Sequence, residues 1–270
     1  MLRLFRDSVY IALYPGAAVL ARVKRGPRGS IEAHHAQDQD TAGRGDGLDA
    51  LAEALRDRRW HDAQATVLVS NSLVRYSLVP PSDELVTTAD ERDFALHRVT
   101  QVHGGSPHDW EVRLGHPLQQ LSQPVAAFAA GYLERLKGIL ASARLRADSI
   151  QPFFMQAWNR SCASIRDDSF WFANAEAESL LLARVEHGAW SGLTVTPISG
   201  SPIDALGARI REDRLIHGIS EGRDRVYLYA PAFAGLPGKP TSQFDLIMLS
   251  GPTAGRLPDV QKSLSQVLGI

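Results

Sequence analysis

The chain holds a single cysteine, Cys162, in 270 residues. One thiol cannot form an internal disulfide, so nothing in the sequence calls for an oxidising compartment. Lysine is nearly as scarce: Lys24, Lys137, Lys239 and Lys262 are the full set, and arginine carries most of the positive charge. Neither sign is in excess. The formal net charge is -1, which argues against bulk binding to nucleic acid, whose usual footprint is a basic surplus. Long apolar runs are missing too. The least polar stretches, Pro124 to Leu133 and Ser179 to Ala183, fall well short of the roughly 18 residues that cross a bilayer as a helix. The opening Met1-Leu2-Arg3-Leu4-Phe5-Arg6-Asp7 lacks the apolar core of a secretory signal. These absences predict a cytoplasmic protein with no membrane span of its own.

Familiar catalytic motifs are absent as well. No Gly-x-Ser-x-Gly elbow is present, which weighs against an α/β-hydrolase-like enzyme. Gly235-Leu236-Pro237-Gly238-Lys239-Pro240-Thr241-Ser242 imitates a phosphate loop, but Pro240 separates the lysine from the hydroxyl that must open a helix. Gly43-Arg44-Gly45-Asp46-Gly47 imitates a dinucleotide fingerprint, yet it follows a polar loop and not a strand, so it reads as a linker. His103, His108 and His116, with Asp109 and Glu111, match no standard metal spacing and read as a solvated loop. His34-His35 and Asp167-Asp168 read as surface, and Cys162 has no histidine near it in sequence. No metal, cofactor or nucleophile is expected.

What is present is an ordinary globular composition, 44% hydrophobic and 22% charged, in a chain long enough for one large domain or two lobes. Val9–Leu13 and Ala18–Val23 are apolar and β-branched, joined by Pro15-Gly16, and predict a hairpin. Ser30–Ala36 is a third strand. Leu48, Leu51, Ala52 and Leu55 have helical spacing, predicting a helix from Leu48 to Trp60. Ala65–Ser70 and Leu73–Val79 read as a strand pair around Asn71-Ser72. Thr88 with Glu91 is a capping box opening a helix that Gly104-Gly105 ends. Trp110–Leu114, Pro124–Ala129 and Leu145–Pro152 are strands, with helices over Gly131–Ala143 and Phe153–Ser161. Past Asp167-Asp168 a second set begins: Phe170–Ala173, Glu178–Val185, Leu193–Ile198, Val226–Ala230 and Phe244–Ser250 are strands. Ser201 caps a helix from Pro202 to His217, and Asp259–Leu268 closes the chain as a helix. Antiparallel strands punctuated by helices thus occur twice, an α/β architecture of two related halves.

This order resembles the actin-like family, within it the pilus protein PilM and the cytoplasmic domain of the secretion protein GspL. The resemblance rests on the opening hairpin Ser8–Val23, the helix from Leu48, the stretches Ala65–Ser70 and Val74–Pro80, Leu145–Pro152 with its following helix, and Trp171–Val185 turning at Glu186-His187-Gly188. It implies a two-lobed actin-like (RNase H-like) fold of mixed sheets flanked by helices, with lobes at 1–165 and 166–270. In active members the hairpin turns carry acidic and small polar residues that hold metal and phosphate. Here Leu13, Tyr14 and Pro15 stand in the first, and Ala173-Asn174-Ala175-Glu176-Ala177 in the second offers no glycine to close on a phosphate.

The resemblance with emptied phosphate loops implies a non-catalytic scaffold of a type IV pilus or type II secretion-like machine. It would bind a segment of an inner-membrane partner and sit in the cytoplasm, at the inner membrane only through that partner; homo-oligomers stay open. Aromatic residues spread over both halves, Tyr76, Trp110, Trp158, Trp171 and Trp190, are mostly core. Tyr76 and Trp110, with Arg75 and Arg113 beside them, form the candidate partner-binding set. Arg22, Lys24, Arg25 and Arg28 make a basic turn, and Arg56, Arg58 and Arg59 end a helix; both read first as solvated. The alternative is a divergent actin-like ATPase or sugar-kinase-like enzyme, whose carboxylates would be Asp7, Asp168 or Glu176.

Overall fold

A computed structural model describes residues 7–24, 31–37 (backbone), 45–82, 85, 87–115, 122–218, 224–231, 233 and 244–249. The imitation phosphate loop 235–242, the closing helix expected at 259–268, and His116, Arg25 and Arg28 lie outside these residues. By compactness the described residues divide into two units that are each discontinuous: those within 7–73 and 131–156 form one, those within 74–130 and 157–249 the other. This differs from a single cut at 165, because the chain leaves and re-enters each unit.

The first unit is built on a five-stranded sheet of β1 (Ser8–Tyr14), β2 (Ala17–Val23), β3 (Ile31–Gln37), β4 (Gln64–Val69) and β8 (Arg146–Pro152), in the order β3-β2-β1-β4-β8. The hairpin expected at Pro15-Gly16 forms with Tyr14 opposite Ala17. Gly16 takes φ 64°, so the two central residues have the φ signs of a type II turn, proline supplying the negative one and glycine the positive. β1 is central and apolar, and Val9, Ile11, Ala12 and Leu13 are all at most 1% exposed. The helix expected over Leu48–Trp60 is shorter: α1 spans Leu48–Ala54, and a separate 3-10 turn covers Arg58–Trp60. Asp57 accounts for the break, because its carboxylate accepts the Arg59 amide at 2.9 Å and so offers the backbone a non-helical partner. α3 (Tyr132–Ser142) buries Leu133, Leu136 and Leu140 at helical spacing.

The second unit holds β9 (Phe170–Ala175), β10 (Ser179–Glu186), β11 (Ala189–Pro197), β12 (Asp224–Tyr229) and β13 (Phe244–Met248), in the order β11-β10-β9-β12-β13. In both sheets the first three strands are mutually antiparallel and the last two join in parallel. The same topology is therefore built twice. α5 (Pro202–His217) packs Leu206 and Ile210 on Trp171, Leu180, Leu182 and Val226. Its cap is the expected one: Ser201 accepts the Asp204 amide, with proline first in the helix. The other face of β9 carries Phe170 and Phe172. Trp158, in α4 (Phe153–Ser161), lies 5.4 Å from the Phe172 ring and 4.5 Å from Trp190, edge-on to each.

The same unit contains a three-stranded antiparallel sheet, β5 (Arg75–Val79), β7 (Gln123–Ala129) and β6 (Trp110–Leu114), in the order β5-β7-β6. α2 (Thr88–His103) covers one face, packing Ala95 and Val99 on Val79, Val112, Val125 and Ala127. Two local expectations need correction. β4 and β5 do not pair: β4 lies between β1 and β8, and β5 joins β7. Asn71 marks the parting, since its buried side chain accepts the Phe154 amide at 3.1 Å in place of shaping a hairpin. The α2 cap is Thr87 with Asp90, one residue before the expected box; Thr87 accepts the Asp90 amide, and Asp90 accepts the Thr87 amide at 2.9 Å.

Candidate functional site

The two hairpin turns are where the resemblance places phosphate. At the first, a phosphate-binding loop would need free backbone N–H groups. The Gly16 N–H donates instead to Gly45 O at 2.8 Å. The segment after Gly45 is seated directly on the turn. A Cβ added to Gly47 would lie 2.5 Å from Tyr14 O and 2.6 Å from Ala17 O, and Gly47 takes φ 76°. Only glycine meets both demands. Gly43–Gly47, read from sequence as a linker, is thus at its described end a close-fitting cover for the hairpin. Asp46 is fully engaged: one carboxylate oxygen accepts the Leu48 amide at 3.0 Å, opening α1, and the other accepts from Arg135 at 3.2 Å. Arg135 also bonds Asp49, and that bond is the main reason its guanidinium is held above the usual arginine range. Burial pushes the neighbouring Tyr132 phenol up, and the Asp46 charge adds to it.

The second turn is closed by different chemistry. The expected loop 173–177 is partly strand, because β9 continues to Ala175 with every residue buried. The Glu176 amide then donates to Ser179 O at 2.8 Å, which makes the reversal tight. Asn174, 1% exposed, donates to Tyr229 O at 3.2 Å. Glu176 itself is 5% exposed, and its charge reaches the Tyr76 phenol, which burial first and Glu176 second push well up. A buried carboxylate at this turn opposes any anion.

The three carboxylates named for an enzymatic reading do not gather. Asp7 precedes β1, at the opposite end of that strand from the Pro15-Gly16 turn, roughly 20 Å by strand rise, and it is bonded to Arg22 at 2.7 and 2.9 Å. Asp168 and Glu176 flank opposite ends of β9, a similar distance apart. Asp167, not Asp168, is the engaged member of its pair: it accepts from Tyr227 and Arg225, which hold its carboxyl below the usual range.

The four candidate partner-binding residues all lie on the three-stranded sheet but not in one patch. Tyr76 and Arg113 sit opposite Ala126 from its two sides, hence in one row on one face. Arg75 and Val112 share the next row, opposite Ala127, so Arg75 and Trp110 belong to the face that α2 covers. Tyr76 is 6% exposed; Arg75 is exposed and Trp110 half-buried. The Trp110 indole donates to Gly104 O at 3.0 Å, and His103 Nε2 bonds Tyr76 O at 2.9 Å. His103 therefore serves the sheet, and Asp109 caps the turn before β6 by accepting the Ser106 amide. Among the described residues no three His, Cys, Asp or Glu side chains converge to hold a metal ion, and no helix is long and apolar enough to cross a membrane.

No protein-family model matches the sequence, and no curated protein matches it. Solved structures do resemble the fold. The cytoplasmic domain of EpsL, an inner-membrane component of the type II secretion system of Vibrio cholerae, superposes with a TM-score of 0.59 at 10% identity, covering 97% of this chain and 94% of that one. A protein of unknown function from Bacteroides thetaiotaomicron with an actin-like ATPase fold gives 0.56 at 10% identity, covering 85% of each chain. A PilM-PilN type IV pilus biogenesis complex gives 0.56 at 15% identity, covering 97% of this chain and 86% of that one. With two sheets of one topology flanked by helices, the chain has the actin-like fold, as the order of its elements predicts.

Proposed function

We propose that this chain is a non-catalytic cytoplasmic scaffold of a pilus or type II secretion-like machine, holding a segment of an inner-membrane assembly protein and reaching the membrane through it. The observation that carries the reading is the Gly16 N–H bonded to Gly45 O beneath the close-fitting Gly47: the donor that would meet phosphate is spent inside the protein. The buried Glu176 at the second turn acts in the same sense. The likeness to an EpsL cytoplasmic domain and to a PilM-PilN complex supports the setting and the kind of partner. The contact set remains Arg75, Trp110 and Arg113, with the buried Tyr76 supporting Arg113 on the face those two share.

Titration calorimetry with magnesium and ATP tests the first half, and no saturable heat is expected; tight, magnesium-dependent binding sinks it. The second half is tested by purifying the tagged chain from detergent-solubilised membranes of its own cells. An inner-membrane protein should co-purify, and one short peptide from it should bind the purified chain. Arg75→Ala with Arg113→Ala should weaken that peptide; binding indifferent to both refutes this placement of the contact.

A further inference from the structure

β6 is an outer strand of the three-stranded sheet, and its register settles which backbone groups face outward. The Ala130 N–H donates to Asp109 O and the Gly115 N–H to Pro124 O, each at 2.8 Å. Odd-numbered residues therefore bond to β7, while the N–H and C=O groups of Trp110, Val112 and Leu114 point away from the sheet. Among the described residues no strand covers that side.

The strand that presents this edge is Trp110-Glu111-Val112-Arg113-Leu114. Reversed about Val112 it is its own complement. Laid antiparallel on a second copy, Val112 meets Val112, Glu111 meets Arg113 twice, and Trp110 meets Leu114 twice. The outward groups are also those that such a register needs, since Val112 would exchange both of its bonds with its counterpart. We propose that β6 pairs in this way with β6 of a second copy of this chain, fusing two three-stranded sheets into one of six strands about a two-fold axis.

The single chain keeps the edge capped. Arg113 donates through Nη1 to the outward Val112 carbonyl at 2.9 Å and through Nη2 to Glu111 Oε1 at 2.6 Å. Val112 is only 2% exposed because α2 packs over its side chain, while the Arg113 side chain is 50% exposed. A charged residue folded over an edge is a usual guard against indiscriminate strand pairing. Pairing with a second copy costs neither group a partner. The Val112 carbonyl trades a guanidinium for an amide, and Arg113 trades its own Glu111 for that of the other copy. What is gained is cover for Trp110 and Leu114, half-buried side chains packed at the rim of the α2 cluster, each of which acquires a directly opposite apolar neighbour. Charge complementarity selects a second copy over an arbitrary strand, because only the reversed sequence places both charge pairs at once. The inference goes beyond the scaffold reading; it shares Trp110 and Arg113 with the contact set proposed there, and its test on the purified chain alone involves no membrane partner.

Sedimentation of the purified full chain over a dilution series tests it. The unaltered chain should show a reversible monomer–dimer equilibrium. Arg113→Glu sets Glu111 against a second carboxylate at both sites and should weaken the dimer at least about tenfold. Glu111→Arg combined with Arg113→Glu restores opposite charges in the same register and should recover it. Circular dichroism and melting of each variant separate loss of pairing from loss of fold. A chain that stays monomeric throughout, a dimer indifferent to Arg113→Glu, or a charge-swapped double variant that fails to recover while folded overturns the proposal.

Discussion

The β1–β2 and β9–β10 turns hold matching positions in sheets of matching topology, yet they are closed by different means. The first is filled by backbone: Gly45 accepts from the turn, and Gly47 fits against two of its carbonyls. The second is filled by side chains, with Glu176 buried toward the Tyr76 phenol and Asn174 tied to Tyr229. Two hairpin turns in matching positions are thus closed by backbone in one case and by side chains in the other. The two routes differ in what one substitution can undo. A backbone cover tolerates no added atom, whereas a buried charge can be neutralised at constant shape.

Gly47→Ala is the sharpest way to break this contrast. The new Cβ would meet two carbonyl oxygens well inside contact distance, at a φ that L-residues adopt only at a cost of about 1–2 kcal/mol. With the displacement of the cover included, a loss of about 2–4 kcal/mol is expected, visible as a fall in Tm of several degrees. A variant that melts with the unaltered protein would mean that the segment is not seated as described.

Glu176→Gln, smaller in effect, tests the second turn. The Glu176 charge is the lesser of two causes raising the Tyr76 phenol, burial being the larger. Neutralising it should lower that phenol's titration, leaving it above the ordinary tyrosine range. A group whose folded pKa is raised contributes stability that is present below its unfolded pKa, about 10, and is lost as pH rises beyond it. The alkaline decline in stability should therefore be shallower in Glu176→Gln. Ultraviolet titration of tyrosinate and melting above pH 9 check both; an unmoved titration curve would remove Glu176 from the Tyr76 environment.

The sequence exposes what is local. Pro15-Gly16 announces the first turn, Ser201-Pro202 announces α5, and the strand Trp110–Leu114 has the limits its residues predict. It misleads where the deciding partner is distant. Asn71-Ser72 has turn chemistry, so β4 and β5 read as a hairpin, but Asn71 is bonded 83 residues away at Phe154. Gly47 reads as a linker residue because the carbonyls that demand a glycine belong to Tyr14 and Ala17. Nothing in the spacing of Gly43–Gly47 distinguishes a cover from a tether. The four partner-binding candidates are near one another in the sheet, as their strands suggest. Only the register shows that Tyr76 and Arg113 share a face that Arg75 and Trp110 do not. Faces are set by pairing partners, and those of Tyr76 and Arg75, Ala126 and Ala127, lie far along the chain from them.

The smallest expected effect lies where the two units again solve one problem differently. Both hold non-glycine residues at positive φ: His187 at 51° in the second, beside Gly188 at 77°, and Asp62 at 61° with Arg144 at 52° in the first. The His187 position is supported by backbone bonds, from its own amide to Ser169 Oγ and from Gly188 to Asp168 O. Asp62 and Arg144 support each other through a fork of two bonds, 2.7 and 2.8 Å. Arg144 follows the end of α3, where glycine is the favoured residue. Arg144→Gly would release the steric cost of a left-handed arginine, about 1 kcal/mol, and forfeit an exposed ion pair of a similar or smaller size. The two should nearly cancel, leaving Tm within a degree or two of the unaltered protein. Arg144→Ala keeps most of the cost and loses the pair, so it should be the less stable of the two. A clear loss in the glycine variant would show that the fork, and not the turn conformation, holds the start of β8 to β4.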